Sequence, residues 1–387
     1  MTKGAAAIDI LLTHPFFWPH VRRGAEREVH GVGTHLAERG HRVQLLTSQP
    51  RGVTRSAAVD AVKVRYVRVP VPAPMRRRGW DETAVFGAAA AAAGVVSRAD
   101  VGLSFLYADA YGLTASRRVP LRRVRARPVV LKLTGTVIPE RIARERVQDS
   151  LLRRALDGVD AVWCNSAYAR EVMRDFGVAM DIVPAGVDVE AFRPLGPRSG
   201  QPVILCAAAP DEPRKRVVDL VDAWPAILDG LPGARLVLAG HCSTSTRSAL
   251  LERVPGQLRG SVEVVGLLSD AQMVRAYSEA HVVVAPSVYE ALGLAVLEAL
   301  ACGTPVAGAR SGATPELLEE GRTGALFEPL DPPSLAAAVL RAAELGDPEG
   351  DCRSAAMRFA WPVVADDIES RLTRLVEGVS PRPAGRR

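Results

Sequence analysis

The chain has 387 residues, 48% hydrophobic and 24% charged. That is enough for two cores and unlike a disordered chain. The five cysteines (Cys164, Cys206, Cys242, Cys302, Cys352) are widely spaced, odd in number and form no C-x-x-C pair, which argues for reduced cytosolic thiols. Residues 1–195 carry 30 basic against 19 acidic side chains, so the formal charge of +6 is concentrated in the first half.

The basic excess sits in Arg76, Arg77 and Arg78 and in the run Arg117, Arg118, Arg122, Arg123, Arg125, Arg127. The plain reading is a solvated face. A phosphate-bearing acceptor or an anionic membrane surface is the functional alternative. Nucleic acid is the weakest alternative and is not expected as a partner, because no aromatics interleave the arginines. Asp9 interrupts the first apolar stretch and no run of about 18 apolar residues exists, so neither a signal peptide nor a membrane span is expected. The expected location is cytoplasmic, at most peripheral to the inner face of the membrane.

The first strand is predicted at 8–12, followed by a loop rich in His, Pro and aromatics. A helix over 25–39 stops at Gly40. Strands follow at 41–47 and 62–69, a helix at 88–93, strands at 101–106 and 129–133, and one long amphipathic helix at 138–157. Strand 161–164 leads into a helix capped by Asn165 or Ser166. Residues 184–202, with four prolines and three glycines, read as a linker. The alternation then restarts with strand 203–208, helix 217–228, strands 235–239 and 262–265, helix 270–279, strand 281–285, helix 294–301 and strand 305–307. A final helix covers 362–377. Strands alternating with helices predict two doubly wound parallel-sheet domains, 1–193 and 194–360, with a C-terminal helix and tail at 361–387 returning toward the first. Ligands of such sheets bind at the carboxyl ends of the strands, here in a cleft between the domains.

Among the candidate motifs, Gly31-x-Gly33 lacks a third glycine and lies inside a helix, so no dinucleotide is expected. The stretch Pro286 to Leu300 is more informative. It follows an apolar strand, so Ser287 to Gly293 forms a strand-to-helix loop whose helix end suits a diphosphate. Glu290 lies in the loop and Glu298 more than a turn inside the helix. Both carboxylates can accept hydrogen bonds from sugar hydroxyls. The plain alternative is a helix cap and a surface pair.

Glu290-x7-Glu298, within P-S-x-x-E-x-x-G-L-x-x-L-E-A and continuing through Cys302-Gly303-Thr304-Pro305-Val306 to Gly324, resembles the signature of retaining glycosyltransferase family 4. Gly24-Ala25-Glu26, Gly40-His41, Asn165-Ser166 and Val183 to Asp188 extend the resemblance over nearly the whole chain. Asp211-Glu212-Pro213-Arg214-Lys215 is similar to a segment of that family's phosphatidylinositol mannosyltransferases. The resemblance implies the GT-B fold, two Rossmann-like domains facing a cleft, and transfer with retention from a UDP- or GDP-sugar to a hydroxyl acceptor.

By the same resemblance Glu298 holds the ribose, Glu290 meets the sugar ring, and Leu292, Gly293 and Leu294 present amides. Lys215 pairs the diphosphate and Gly24 lets the backbone approach the donor. Glu290 and Lys215 are thus the expected catalytic residues. No D-x-D occurs and the His and Cys residues lack ligand spacing, so no metal and no cofactor beyond the co-substrate is expected.

Three departures stand out. Ala208-Ala209 occupies the place of the family's Gly-Arg, so either Arg214 or Arg216 supplies the charge or phosphate binding is weaker. Arg23-Gly24 replaces Gly-Gly. No histidine lies between His41 and His241, and Thr134 stands where the family has one. A degenerate homologue that binds sugar nucleotide without turnover is therefore the alternative. His14, His20, Tyr107, Asp109 and Thr134 are the acceptor-side candidates.

Overall fold

In the computed structural model, residues 6–21, 23–50, 56–119, 127–198, 200–345 and 349–378 are described. Contacts divide the chain into two units. One runs up to Gly186 and resumes at Trp361, and the other is Val187–Ala360.

The first unit holds β1 (Asp9–Thr13), α1 (Gly24–Glu38), β2 (Arg42–Ser48), β3 (Ser56–Val59), β4 (Val62–Val67), α2 (Ala73–Arg76), α3 (Glu82–Val96), β5 (Val101–Ser104) and α4 (Tyr107–Ser116). It continues with β6 (Val129–Leu133), α5 (Pro139–Ile142), α6 (Arg146–Gly158), β7 (Ala161–Cys164), α7 (Ala167–Val172) and β8 (Asp181–Ile182). Its sheet order is β3-β4-β2-β1-β5-β6-β7-β8, parallel except for the β3–β4 pair. Ile10 pairs Val43 on one side and Val101 on the other, so the order reverses direction at β1/β5. Ile10, Leu12, Val32, Leu36, Leu45 and Trp163 share one core. Ile368 and Leu372 of the last helix, α15 (Trp361–Val376), join it, and Trp361 stacks on His35 at 5.0 Å.

The second unit holds β9 (Val203–Ala207), α8 (Val217–Gly230), β10 (Arg235–Ala239), α9 (Thr244–Arg253), β11 (Val262–Gly266), α10 (Asp270–Glu279), β12 (Val282–Ala285) and α11 (Leu294–Ala301). Then come β13 (Val306–Ala309), α12 (Thr314–Leu317), β14 (Gly324–Phe327), α13 (Pro332–Ala343) and α14 (Glu349–Met357). Its sheet is β11-β10-β9-β12-β13-β14, parallel throughout. Ile204 of β9 pairs both Leu236 and Val282, placing the reversal at β9/β12. Near-continuous apolar runs form these strands because helices cover both faces.

Several elements depart from the expectations. The helix expected over 138–157 is two, α5 and α6, because 143–145 are exposed and offer no apolar stripe to bury, whereas Leu151, Leu152, Ala155 and Leu156 give α6 one. The strands β3, β8 and β14 and the helices α2, α4, α9, α12, α13 and α14 were not anticipated. All five cysteines are free thiols, and among the described residues no helix is long and apolar enough to cross a membrane.

Candidate active site

The order reversal at β9/β12 brings two loops together at the carboxyl ends of adjacent strands, the position where open α/β sheets bind ligands. The loop after β9 is turned twice. Glu212 N–H donates to the Ala209 carbonyl at 3.1 Å, and a 3-10 turn covers Pro213–Lys215. Asp211 braces it, accepting from His241 Nδ1, the Ser243 amide and Ser243 Oγ, each at 2.8 Å. Hydrogen bonds from Thr246 and Ser243 hold its carboxyl down at about 2.

The turn decides which cations point at the site. Lys215 Nζ lies 2.7 Å from Glu290 Oε2, and Arg214 Nη1 lies 3.1 Å from the same oxygen. Arg216, left-handed at φ 50°, turns away and grips Asp219 through both carboxylate oxygens. Of the two arginines put forward in place of Ala209, the structure brings Arg214 to the cluster and not Arg216.

Glu290 is held from behind. The Val288 amide donates to the Arg214 carbonyl at 2.9 Å, which ties the two loops, and the Ala313 amide donates to the Glu290 carbonyl at 2.9 Å. Gly312, at φ +63°, lies so close that a Cβ would stand 2.5 Å from the Glu290 carbonyl oxygen. Tyr289 takes a left-handed φ of 58° and is half exposed. That conformation costs a non-glycine residue about 1–2 kcal/mol and tends to persist at functional positions. Burial would push the Glu290 carboxyl up, but the Lys215 and Arg214 cations outweigh it and hold the group below its ordinary range.

Gly293, at φ +101°, starts α11 with no side-chain cap. Leu292 is buried beside it and Leu294 opens the helix. An uncapped helix start next to two cations suits an anion. Inside α11, Glu298 Oε2 accepts from Tyr277 Oη at 3.0 Å. The partner Tyr277 was missed in the sequence, since nothing local in α10 marks it.

The remaining candidates belong to the first unit. Gly24 is the exposed first residue of α1. Arg23 before it pairs with Glu26 at 2.8 Å and lies over the Phe16 ring. At the β1/β5 reversal Thr13 Oγ1 donates to Asp109 Oδ2 at 2.6 Å and lies 2.7 Å from Ser104 Oγ. Asp109 is fully buried within the first turn of α4, which is not the exposed position expected of an acceptor ligand. Burial pushes its carboxyl well up, against hydrogen bonds from Thr13 and from the amides of Asp109 and Phe105.

His14 is also buried, its Nδ1 2.6 Å from the Phe16 carbonyl, and burial lowers its pKa. Tyr107 donates to Gln148 at 2.8 Å, and burial raises its phenol. His20 is exposed and edge-on to Tyr66. Thr134 closes β6, and its carbonyl accepts from Asn165 Nδ2 at 3.3 Å.

The basic run splits. Arg117 donates to the carbonyls of Arg127 and Gly158 and pairs with Asp160, and Arg127 is buried. Both therefore serve the fold. Arg122, Arg123 and Arg125 lie outside the described residues, and Arg76, Arg77, Arg78 and Arg118 are exposed. Among the described residues no cluster of His, Cys, Asp and Glu has metal-site geometry.

Two family profiles match the chain: "Glycosyltransferase Family 4" over residues 22–191 and "Glycosyl transferases group 1" over 201–344. A phosphatidyl-myo-inositol mannosyltransferase of Mycobacterium tuberculosis is 32% identical over 201 residues, which is 48% of this chain and 52% of that protein. The match thus spans about half of that relative's length. An MMP alpha-(1->4)-mannosyltransferase of Mycolicibacterium hassiacum is 25% identical over 87% of this chain and 91% of its own. Among solved structures, sucrose-phosphate synthase from Thermosynechococcus elongatus superposes with a TM-score of 0.79 at 20% identity, covering 96% of this chain and 99% of that one.

Proposed function

The chain belongs to glycosyltransferase family 4 and has the GT-B fold, and from that premise we propose that it moves a sugar from a UDP- or GDP-sugar to a hydroxyl acceptor with retention at the anomeric carbon. The observation that carries this reading is the convergence of Lys215 and Arg214 on Glu290 beside the uncapped start of α11. Arg214 also pairs with Glu212 at 3.0 Å, so the cluster is balanced as it stands, and its two cations can turn to a diphosphate, the ligand whose charge grows as its bond to the sugar breaks.

In this reading Lys215 and Arg214 turn from Glu290 toward the diphosphate, and the amides at Gly293 and Leu294 complete its cradle. Glu290, released from the cations, accepts from the sugar hydroxyls, and Glu298, set by Tyr277, accepts from the ribose. The bond from the anomeric carbon to the diphosphate oxygen breaks. The acceptor oxygen bonds to that carbon on the same face, and its proton passes to the departing diphosphate. The protein supplies position and electrostatics.

Ala209, in the place of the family's arginine, motivates a second reading, a binder without turnover. The test is incubation with UDP-glucose, GDP-mannose and related donors, with and without polyol, lipid-linked and natural-product acceptors, following release of the nucleoside diphosphate. Release with product bearing the retained configuration supports transfer. Donor binding without release at any acceptor supports the second reading. Exposed Arg76, Arg77 and Arg78 suit an acceptor at an anionic membrane surface. Binding to anionic vesicles that fails at low salt would remove that part of the proposal.

A further inference from the structure

Along β6 the side chains of Leu131 and Leu133 enter one core and Val130 enters another. Lys132 takes the next position on Val130's face, where alternation calls for an apolar residue. It is one of only four lysines in the chain and its side chain is 0% exposed. Three oxygens surround its ammonium: Glu28 Oε1 of α1 at 2.8 Å, Asn165 Oδ1 at 2.8 Å, and the Val183 carbonyl. The ammonium donates hydrogen bonds to Asn165 Oδ1 and the Val183 carbonyl, and Glu28 Oε1 meets it as an ion pair without hydrogen-bond geometry. Asn165 closes the set, donating through Nδ2 to Glu28 Oε2 at 3.0 Å and to the Thr134 carbonyl at 3.3 Å.

A buried ion pair is weak support for stability, because desolvation of both ions offsets their attraction, and an apolar pair of the same volume does as well or better. What the charges do supply is geometry. This set fixes the strand end at Thr134 to the first turns of α1, where Gly24 begins the helix. Those segments carry two of the candidate site residues of this unit.

We propose that Lys132, Glu28 and Asn165 form a buried positioning network that holds Thr134 and the Gly24 end of α1 for the transfer reaction. The inference rests on the glycosyltransferase reading for its consequence, though not for its geometry.

The test compares the full chain with Lys132→Met/Glu28→Met, which removes both charges together and leaves no unpaired ion. The expected result is a melting temperature within a few degrees of the parent and amide exchange about tenfold or more faster at 134–137 and 24–27. The turnover number should also fall about tenfold or more, with donor affinity unchanged. Parent-like exchange at both segments, or parent-like turnover in a folded variant, overturns the network. If the double variant does not fold, Asn165→Ala decides. It keeps the ion pair and cuts the link to Thr134, so exchange should rise at 134–137 alone, and unchanged exchange there overturns the proposal. A parent without turnover on any sugar nucleotide refutes the transfer reading, and the exchange measurement still decides the network.

Discussion

Lys215 and Glu290 stand 75 positions apart in the chain, and their side chains meet at 2.7 Å across the reversal point of the second sheet. The second cation on Glu290, Arg214, comes from the same turn as Lys215, and the backbone of Val288 is tied to it. Cations and carboxylate are thus held by loops that brace each other, so Lys215 and Arg214 are in place before any anion arrives.

Lys215→Met should lower turnover about a hundred- to a thousandfold, the scale for losing one preorganised group that stabilises developing charge. Arg214→Ala should lower it less, and Arg216→Ala should leave it near the parent, because Asp219 already holds that guanidinium. The losses should fall on turnover more than on the donor dissociation constant. Steady-state kinetics beside calorimetry checks this, and an Arg216→Ala defect larger than that of Arg214→Ala would reverse the assignment.

Glu298→Ala should weaken donor binding by about 1.5–3 kcal/mol, the range for a hydrogen bond to a charged group. Tyr277→Phe, which removes only the bond that orients Glu298, should cost about 0.5–1.5 kcal/mol. Calorimetric titration with the preferred donor reads both, and a parent-like dissociation constant in Glu298→Ala would contradict the role.

Gly312→Ala places a Cβ 2.5 Å from the Glu290 carbonyl oxygen, at a φ of +63°. The loop carrying Glu290 must shift. Activity should drop together with melting temperature, whereas Gly321→Ala, at φ +81° with open space around it, should cost stability alone. Equal activity losses in the two would show that the Glu290 contact is irrelevant.

Asp109 gives a pH signature. Its folded pKa is raised by burial, so the folded state keeps a proton that the unfolded chain loses above about pH 4. Its contribution therefore grows more unfavourable as pH rises from about 4 toward the folded pKa, and then levels. Asp109→Asn, neutral in both states, should gain melting temperature relative to the parent between about pH 4 and 8. Thermal unfolding across that range checks it, and a pH-independent difference would exclude an ionising Asp109.

The sequence by itself determined the alternation of strands and helices, the two-sheet plan and the Glu290–Glu298 motif. These depend on local periodicity and on short-range spacing, which one strand or loop expresses without its neighbours. Only the tertiary structure decided between Arg214 and Arg216, because a turn of a few residues, braced through Asp211 by His241 and Ser243 of another loop, sets where adjacent side chains point. It alone showed Tyr277 behind Glu298, and Asp109 inside the core rather than at an edge. The break between α5 and α6 follows from what each turn finds to bury. Lys132 sat in plain view as a charge within an apolar strand, but its meaning required Glu28 and Asn165. Those partners come from other elements and meet it only when the sheet closes, because a buried charge is tolerated only where long-range folding delivers its counter-ion.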